Sequence, residues 1–122
     1  MTAMEKVIVD FELQLRDIVG KVMKRSTLNS ATLNYGVQYL TNDESGFILI
    51  VSTNNDALSI SFHKGKLPMT ATELFSTPDI NNFNKAEQTL EALRLIIAES
   101  AYEGLDIPIE EYVARFKKSY TS

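Results

Sequence analysis

The chain contains no cysteine. Disulfides, thiolate nucleophiles and cysteine-ligated metals are therefore excluded, which fits a reducing compartment. Histidine is nearly absent too, because His63 is the only one in 122 residues. Neither a D-x-D-x-D-G nor an H-E-x-x-H spacing is present. We therefore predict no metal site and no cofactor.

Long apolar runs are also missing. No stretch approaches the roughly 20 apolar residues that a membrane-spanning helix needs. The first residues, Met1–Lys6, lack the basic start and continuous apolar core of a secretory signal. We therefore expect a cytoplasmic protein that does not enter membranes. A length of 122 residues, with no repeat or linker, predicts a single domain over residues 1–122.

The spacings that mark catalysis are absent as well. There is no G-x-S-x-G elbow, no P-loop and no dinucleotide fingerprint. Carboxylate pairs such as Glu87 and Glu91 recur at the i,i+4 spacing that is typical of a solvated helix face. We expect no catalytic residues and no enzymatic activity.

The net charge of −4 is unevenly distributed along the chain. Residues 1–66 hold seven basic and seven acidic side chains, whereas residues 67–122 hold five basic and nine acidic ones. The whole excess therefore lies in the C-terminal half. Because phosphate backbones are bound mainly by Lys and Arg, we predict no nucleic-acid partner, and a protein partner would be basic.

The strongest structural signal is a β-hairpin in the middle of the chain. Residues 47–51 are apolar on both faces of a strand, and residues 57–62 alternate, with Leu58, Ile60 and Phe62 on one face. A cluster of turn-forming residues separates the two runs. The first run should be the central strand, covered on both faces.

The remaining pattern predicts an α+β fold with the order α-β-β-β-α-α. Residues 4–24 and 83–103 carry narrow apolar stripes typical of helices, and a last helix runs to about residue 119. Residues 33–39 alternate like a half-buried strand. Thr70 and Glu73 resemble a capping box, which predicts a short helical segment through Phe75. We therefore expect a three-stranded antiparallel meander with the helices on one face.

The order α-β-β-β-α resembles that of the double-stranded-RNA-binding domain, in which a basic cluster opens the second helix. Here the corresponding stretch, 82–88, carries Lys85 but also Glu87, and Glu91 follows. The RNA-binding residues of that family are therefore not reproduced. The order is also similar to that of small secretion chaperones, which are acidic and dimeric. That likeness is one of topology without a shared motif, and neither family is assigned.

A candidate protein-binding surface lies on the outer face of the second long helix. There Leu95 and Tyr102 lie among acidic side chains, a composition that is typical of protein-binding surfaces. The alternative is that the last helix buries both of them. Val9 and Leu13 also point away from the stripe of the first helix and have the same two interpretations. The candidate partner-binding residues are Val9, Leu13, Glu91, Leu95, Glu99 and Tyr102.

If both patches are exposed, self-association into a homodimer through the helices is the simplest explanation. We therefore interpret the chain as a non-catalytic interaction module that binds a protein through an acidic surface. An adaptor, inhibitor, immunity-type protein or chaperone has these features.

The alternative function is binding of a small ligand or an anion, or a minor enzymatic activity. It would use the open face of the sheet and the basic loop after the second hairpin strand. In that case we expect a concave pocket that brings two tyrosines of the 33–39 strand next to the histidine. The residues of this alternative are Tyr35, Tyr39, His63, Lys64 and Lys66.

Overall fold

The computed structural model describes residues 2–20, 23–28, 35–41, 46–65, 70–102 and 109–121, without the side chains of 41, 100–102, 109 and 121. Within these ranges it is an α+β fold of three helices and a five-stranded antiparallel sheet. The strands follow each other in chain order across the sheet. The elements are α1 (Ala3–Leu15), β1 (Met23–Thr27), β2 (Tyr35–Thr41), β3 (Phe47–Asn54), β4 (Ala57–Lys64), β5 (Thr72–Ser76), α2 (Phe83–Tyr102) and α3 (Ile109–Thr121).

The predicted hairpin is confirmed as β3 and β4, and β3 is the central strand of the sheet. Asn55 and Asp56 form its turn, with φ angles of 53° and 60°. Two successive positive φ values are the mark of the two-residue type I′ turn, whose twist matches that of the strands. The turn therefore fixes the register in which Asn54 pairs with Ala57.

One face of the sheet carries the main core. Val37, Val51 and Ile60 pair across β2, β3 and β4, and all three are fully buried. The rings of Phe11 in α1 and Tyr39 in β2 meet edge to face on this side, at 6.3 Å. α3 covers the other end of the same face through aromatic contacts with Phe47, Phe62 and Phe75. α2 packs against both α1 and α3, so the helices form one layer.

The first helix is shorter than the apolar stripe predicts. Thr2 caps its start by accepting a hydrogen bond from the backbone N–H of Glu5 at 3.2 Å. The helix ends at Leu15, and Gly20 then adopts a φ of +96°, which reverses the chain. The prediction of a helix through residue 24 is wrong because Met23 begins β1, which pairs with β2.

The prediction of three strands is also wrong at the other edge of the sheet. Thr72–Ser76 is strand β5, not a helical turn, since its backbone completes the ladder of β4. Beyond β5 the chain still follows β4: Thr77 accepts from the N–H of Ile60 through its hydroxyl, and Ile80 exchanges two hydrogen bonds with Leu58. The backbone N–H and C=O groups of β4 need hydrogen-bond partners, and this requirement outweighs the local capping pattern.

Candidate functional site

A groove of about 600 Å³ lies between α1 and α2. Its apolar walls come from Phe11 and Val7 of α1 and from Leu90 and Leu95 of α2. Phe11 and Leu90 are almost fully buried, whereas 48% of Leu95 is exposed. The groove therefore has a buried apolar base and an exposed leucine at its rim.

Among the described residues, the charges that line this groove are all acidic. They are Asp10 on α1 and Glu87 and Glu91 on α2. Arg94 donates hydrogen bonds to both carboxylate oxygens of Glu91, which lowers the pKa of this glutamate. Asp10 and Glu87 form no ion pair with the parts of the chain that the structure describes, so their negative charge is not offset there.

Helical periodicity explains why these side chains meet. Residues 7, 10, 11 and 14 follow i, i+3, i+4, i+7 spacing, so they share the face of α1 that borders α2. On α2, the opposite wall comes from about two and a half turns, Glu87 to Leu95. The groove is therefore bounded by two regular helices, which are more rigid supports than loops.

The structure divides the six predicted partner-binding residues among several places. Glu91 and Leu95 line the groove, and Glu99 is exposed one turn beyond Leu95 on α2. Val9 is half-buried and Leu13 is 55% exposed, but neither lines the groove. The side chain of Tyr102 lies outside the described residues.

The residues of the small-ligand alternative are not brought together. Tyr39 pairs with Leu49 on the helix-covered face, and Tyr35 lies on that face too. His63 pairs with Ile48 on the opposite face, where its Nε2 lies 2.9 Å from the Ser61 hydroxyl. A single pocket therefore cannot be lined by both tyrosines and this histidine.

The basic loop of that alternative is also divided. Lys64 forms an ion pair with Glu110 of α3 at 2.7 Å, which ties the end of β4 to the helix layer. The same contact lowers the pKa of the exposed Glu110 carboxyl. Lys66 lies outside the described residues.

A polar cluster that sequence reasoning missed joins α1 to the β1–β2 edge of the sheet. Glu12 accepts hydrogen bonds from Arg25 Nε and from the Tyr35 hydroxyl, both at 2.7 Å. Arg25 also donates to the Tyr35 oxygen at 3.0 Å. Only 13% of the Glu12 side chain is exposed, so the cluster is a partly buried anchor for α1.

A second groove, of about 590 Å³, runs between α2 and α3. Amide and hydroxyl side chains predominate in its described lining, in which the one charged residue is basic. That residue, Lys85, lies over the Tyr120 ring at 4.9 Å from its centroid, a cation–π contact. The two grooves that flank α2 therefore differ in charge.

Among the described residues, no group of three or more His, Asp or Glu side chains could hold a metal ion. None of the described helices is long and apolar enough to cross a membrane. Comparison of the chain with protein-family models gives no match, and neither do comparisons with curated proteins and with solved structures.

Proposed function

We propose that this protein is a non-catalytic interaction module that binds a basic protein segment in the groove between α1 and α2. The observation that carries the proposal is the combination of a 48% exposed leucine with a groove whose described lining carries only acidic charges. A solvent-exposed leucine beside a concave apolar surface is typical of a protein-binding site.

The shape of the groove favours a helical segment of the partner. The groove is walled by two helices, and an amphipathic helix can bind in such a groove through residues at i, i+3, i+4 and i+7. The apolar side of the segment would contact Phe11, Leu90 and Leu95, and its Lys or Arg residues would lie near Asp10 and Glu87. The acids would raise the association rate with a basic partner more than the final affinity.

The chain offers a closely matched pair of variants to test this surface. Leu95 and Leu13 are both helical leucines on the surface, 48% and 55% exposed, but only Leu95 lines the groove. The substitution Leu95→Asp should abolish partner binding, whereas Leu13→Asp should leave it unchanged. Neither substitution places a charge in the core, so both variants should fold, which circular dichroism and thermal melting can check.

The experiment is affinity capture from cells of the source organism with the wild-type chain and the two variants. A partner retained by the wild type and by Leu13→Asp, but lost with Leu95→Asp, is then purified and titrated to confirm direct binding. Loss with Leu13→Asp alone would place the surface on the outer side of α1 instead. Identical capture by all three proteins, or no specific capture, would refute the proposal.

A further inference from the structure

Glu91 on α2 is held by Arg94, which lies three residues further along the same helix. Side chains at this spacing are neighbours on one helix face. Arg94 Nε donates a hydrogen bond to Glu91 Oε2 at 3.0 Å, and Arg94 Nη2 donates to Oε1. One guanidinium therefore binds both oxygens of this carboxylate, which is the two-point geometry that makes arginine–carboxylate pairs specific.

This pair sets Glu91 apart from the other acids of the α1–α2 groove. Glu91 lines the groove, whereas Arg94 is not among the described residues that line it. Asp10 and Glu87 line it too, and both are exposed. The ion pairs within the described ranges include neither of them. The described groove therefore presents two carboxylates that no described residue neutralises, one on each helix, and a third that an arginine neutralises.

We propose that Arg94 withholds Glu91 from the basic partner and so directs the partner's Lys or Arg residues to Asp10 and Glu87. The inference rests on the proposed function, since it requires that the partner binds in this groove. A basic residue of the partner placed opposite Glu91 meets the Arg94 guanidinium as well as the carboxylate. Repulsion between the two cations then offsets the attraction to the acid. Arg94 is thus a specificity-determining residue, and the groove selects two basic positions in the partner.

The exposure of the pair sets the size of this effect. The side chain of Arg94 is 26% exposed and that of Glu91 is 51% exposed, so water and salt screen both charges. Pairs between exposed charges change an equilibrium constant only a few-fold. Arg94 should therefore tune partner binding by about threefold and should not switch it on or off.

The probe is a synthetic peptide of about three heptads, with Leu at positions a and d and Lys at positions e and g. Its apolar stripe suits the apolar base of the groove, and its two rows of Lys lie on either side of the stripe, next to the acidic walls. Repulsion between Lys rows disfavours pairing of the peptide with itself. A fluorescent label allows the dissociation constant to be measured by anisotropy for each protein variant.

Glu91→Gln is measured in two backgrounds, the wild type and Arg94→Ala. In the wild type this glutamate is already paired, so Glu91→Gln should weaken binding about as little as Glu99→Gln does. Glu99 is an exposed acid of α2 outside the described groove lining, and its loss measures the general effect of one charge. In the Arg94→Ala background Glu91 is open to the peptide, so Glu91→Gln should weaken binding about threefold more than Glu99→Gln does.

Arg94→Ala by itself should tighten peptide binding about threefold. Arg115 is the matched control, because it forms a similar pair with Glu111 on α3, away from the described lining of the groove. Arg115→Ala removes the same charge from the chain and should change the affinity much less. Alanine is a strong helix former, so both variants should retain the fold, which circular dichroism can check.

The variant Leu95→Asp separates this inference from the proposed function. If the wild type does not bind the peptide, or if Leu95→Asp leaves binding intact, the proposed function and this inference both fail. If Leu95→Asp abolishes binding but Glu91→Gln has the same effect in both backgrounds, the groove stands and the role of Arg94 is overturned. A larger effect of Glu91→Gln in the Arg94→Ala background supports the inference, because independent charge effects would be equal in the two backgrounds.

Discussion

Arg25 on edge strand β1 donates its Nε hydrogen bond to Glu12 Oε1 near the end of α1, at 2.7 Å. The two residues are 13 positions apart, and the contact fixes where α1 crosses the sheet. Hydrogen bonding to Glu12, together with its negative charge, raises the pKa of Arg25, so this arginine stays charged at every accessible pH. The pair is more than a surface ion pair, because only 13% of the Glu12 side chain is exposed.

A double-mutant cycle on this pair should show coupling. The single substitutions Arg25→Ala and Glu12→Gln should each lower the free energy of unfolding by about 1–2 kcal/mol, since each weakens or removes a charge-assisted hydrogen bond at a partly buried site. Urea denaturation of the wild type, the two single variants and the double variant gives the coupling energy. The exposed pair Arg115–Glu111 is the control, and its coupling should be about 0.3–0.5 kcal/mol. Equal coupling in the two cycles would contradict the anchoring role.

The two tyrosines of β2 should respond in opposite ways to removal of the hydroxyl. Tyr35 donates to Glu12 and accepts from Arg25, so Tyr35→Phe should cost about 1–2 kcal/mol. The Tyr39 hydroxyl is buried and has no hydrogen-bond partner among the described residues. Tyr39→Phe should therefore be neutral or stabilising by up to about 1 kcal/mol. Chemical denaturation of both variants tests this, and a larger loss for Tyr39→Phe would refute it.

Because of these two tyrosines, we expect the free energy of unfolding to fall at alkaline pH. Burial and the nearby Glu12 carboxylate raise the pKa of Tyr39, and burial and the hydrogen bond to Glu12 raise that of Tyr35. In the unfolded chain both lose their protons near pH 10, whereas the folded chain retains them. The unfolded state then binds fewer protons, so the free energy of unfolding falls above pH ~10, by up to about 1.4 kcal/mol per pH unit for Tyr39 and by less for the more exposed Tyr35. Denaturation curves at increasing pH should show a shallower fall for Tyr39→Phe than for the wild type.

The sequence was sufficient to predict the hairpin and the α2 helix, because each has a strong local pattern. Alternation on Leu58, Ile60 and Phe62, next to a turn cluster, is unambiguous for a strand pair. Edge strands β1 and β5 were not predicted, since the only buried residue of β1 is Met23 and β5 has none. A short strand that buries one side chain has no periodicity to detect, and its existence depends on the neighbouring strand.

The sequence pattern predicts only one wall of the candidate groove, the one on α2. Leu95 was found because helical spacing places it opposite the stripe of Leu90, Leu93 and Ile97. Its α1 wall could not be found, because the side of α1 that meets α2 is set by tertiary packing. The separation of Tyr39 from His63 also depends on register, since a one-residue shift would exchange the faces.

The β3–β4 turn offers a stabilising substitution. Asp56 adopts a φ of 60°, a conformation that costs a non-glycine residue about 1 kcal/mol and that glycine adopts freely. Asp56→Gly converts the turn to Asn-Gly, the preferred type I′ sequence, and should raise the free energy of unfolding by about 0.5–1 kcal/mol. Asp79→Gly is the matched control at an exposed position without a positive φ, and it should be slightly destabilising. Thermal melts of the two variants distinguish the outcomes, and a lower melting temperature for Asp56→Gly would contradict the role of the turn.

Binding in the α1–α2 groove should depend on salt through the association rate. Neutralising the two acids that no arginine offsets, in Asp10→Asn/Glu87→Gln, should slow association by about tenfold at low ionic strength and leave dissociation nearly unchanged. The difference from the wild type should disappear at high salt, where charges are screened over a few ångströms. Asp79→Asn/Glu99→Gln removes the same charge from exposed positions outside the groove lining and should have a much smaller effect. Surface plasmon resonance with the captured partner separates the two rates. Equal slowing in both double variants would show that overall charge, and not the groove, attracts the partner.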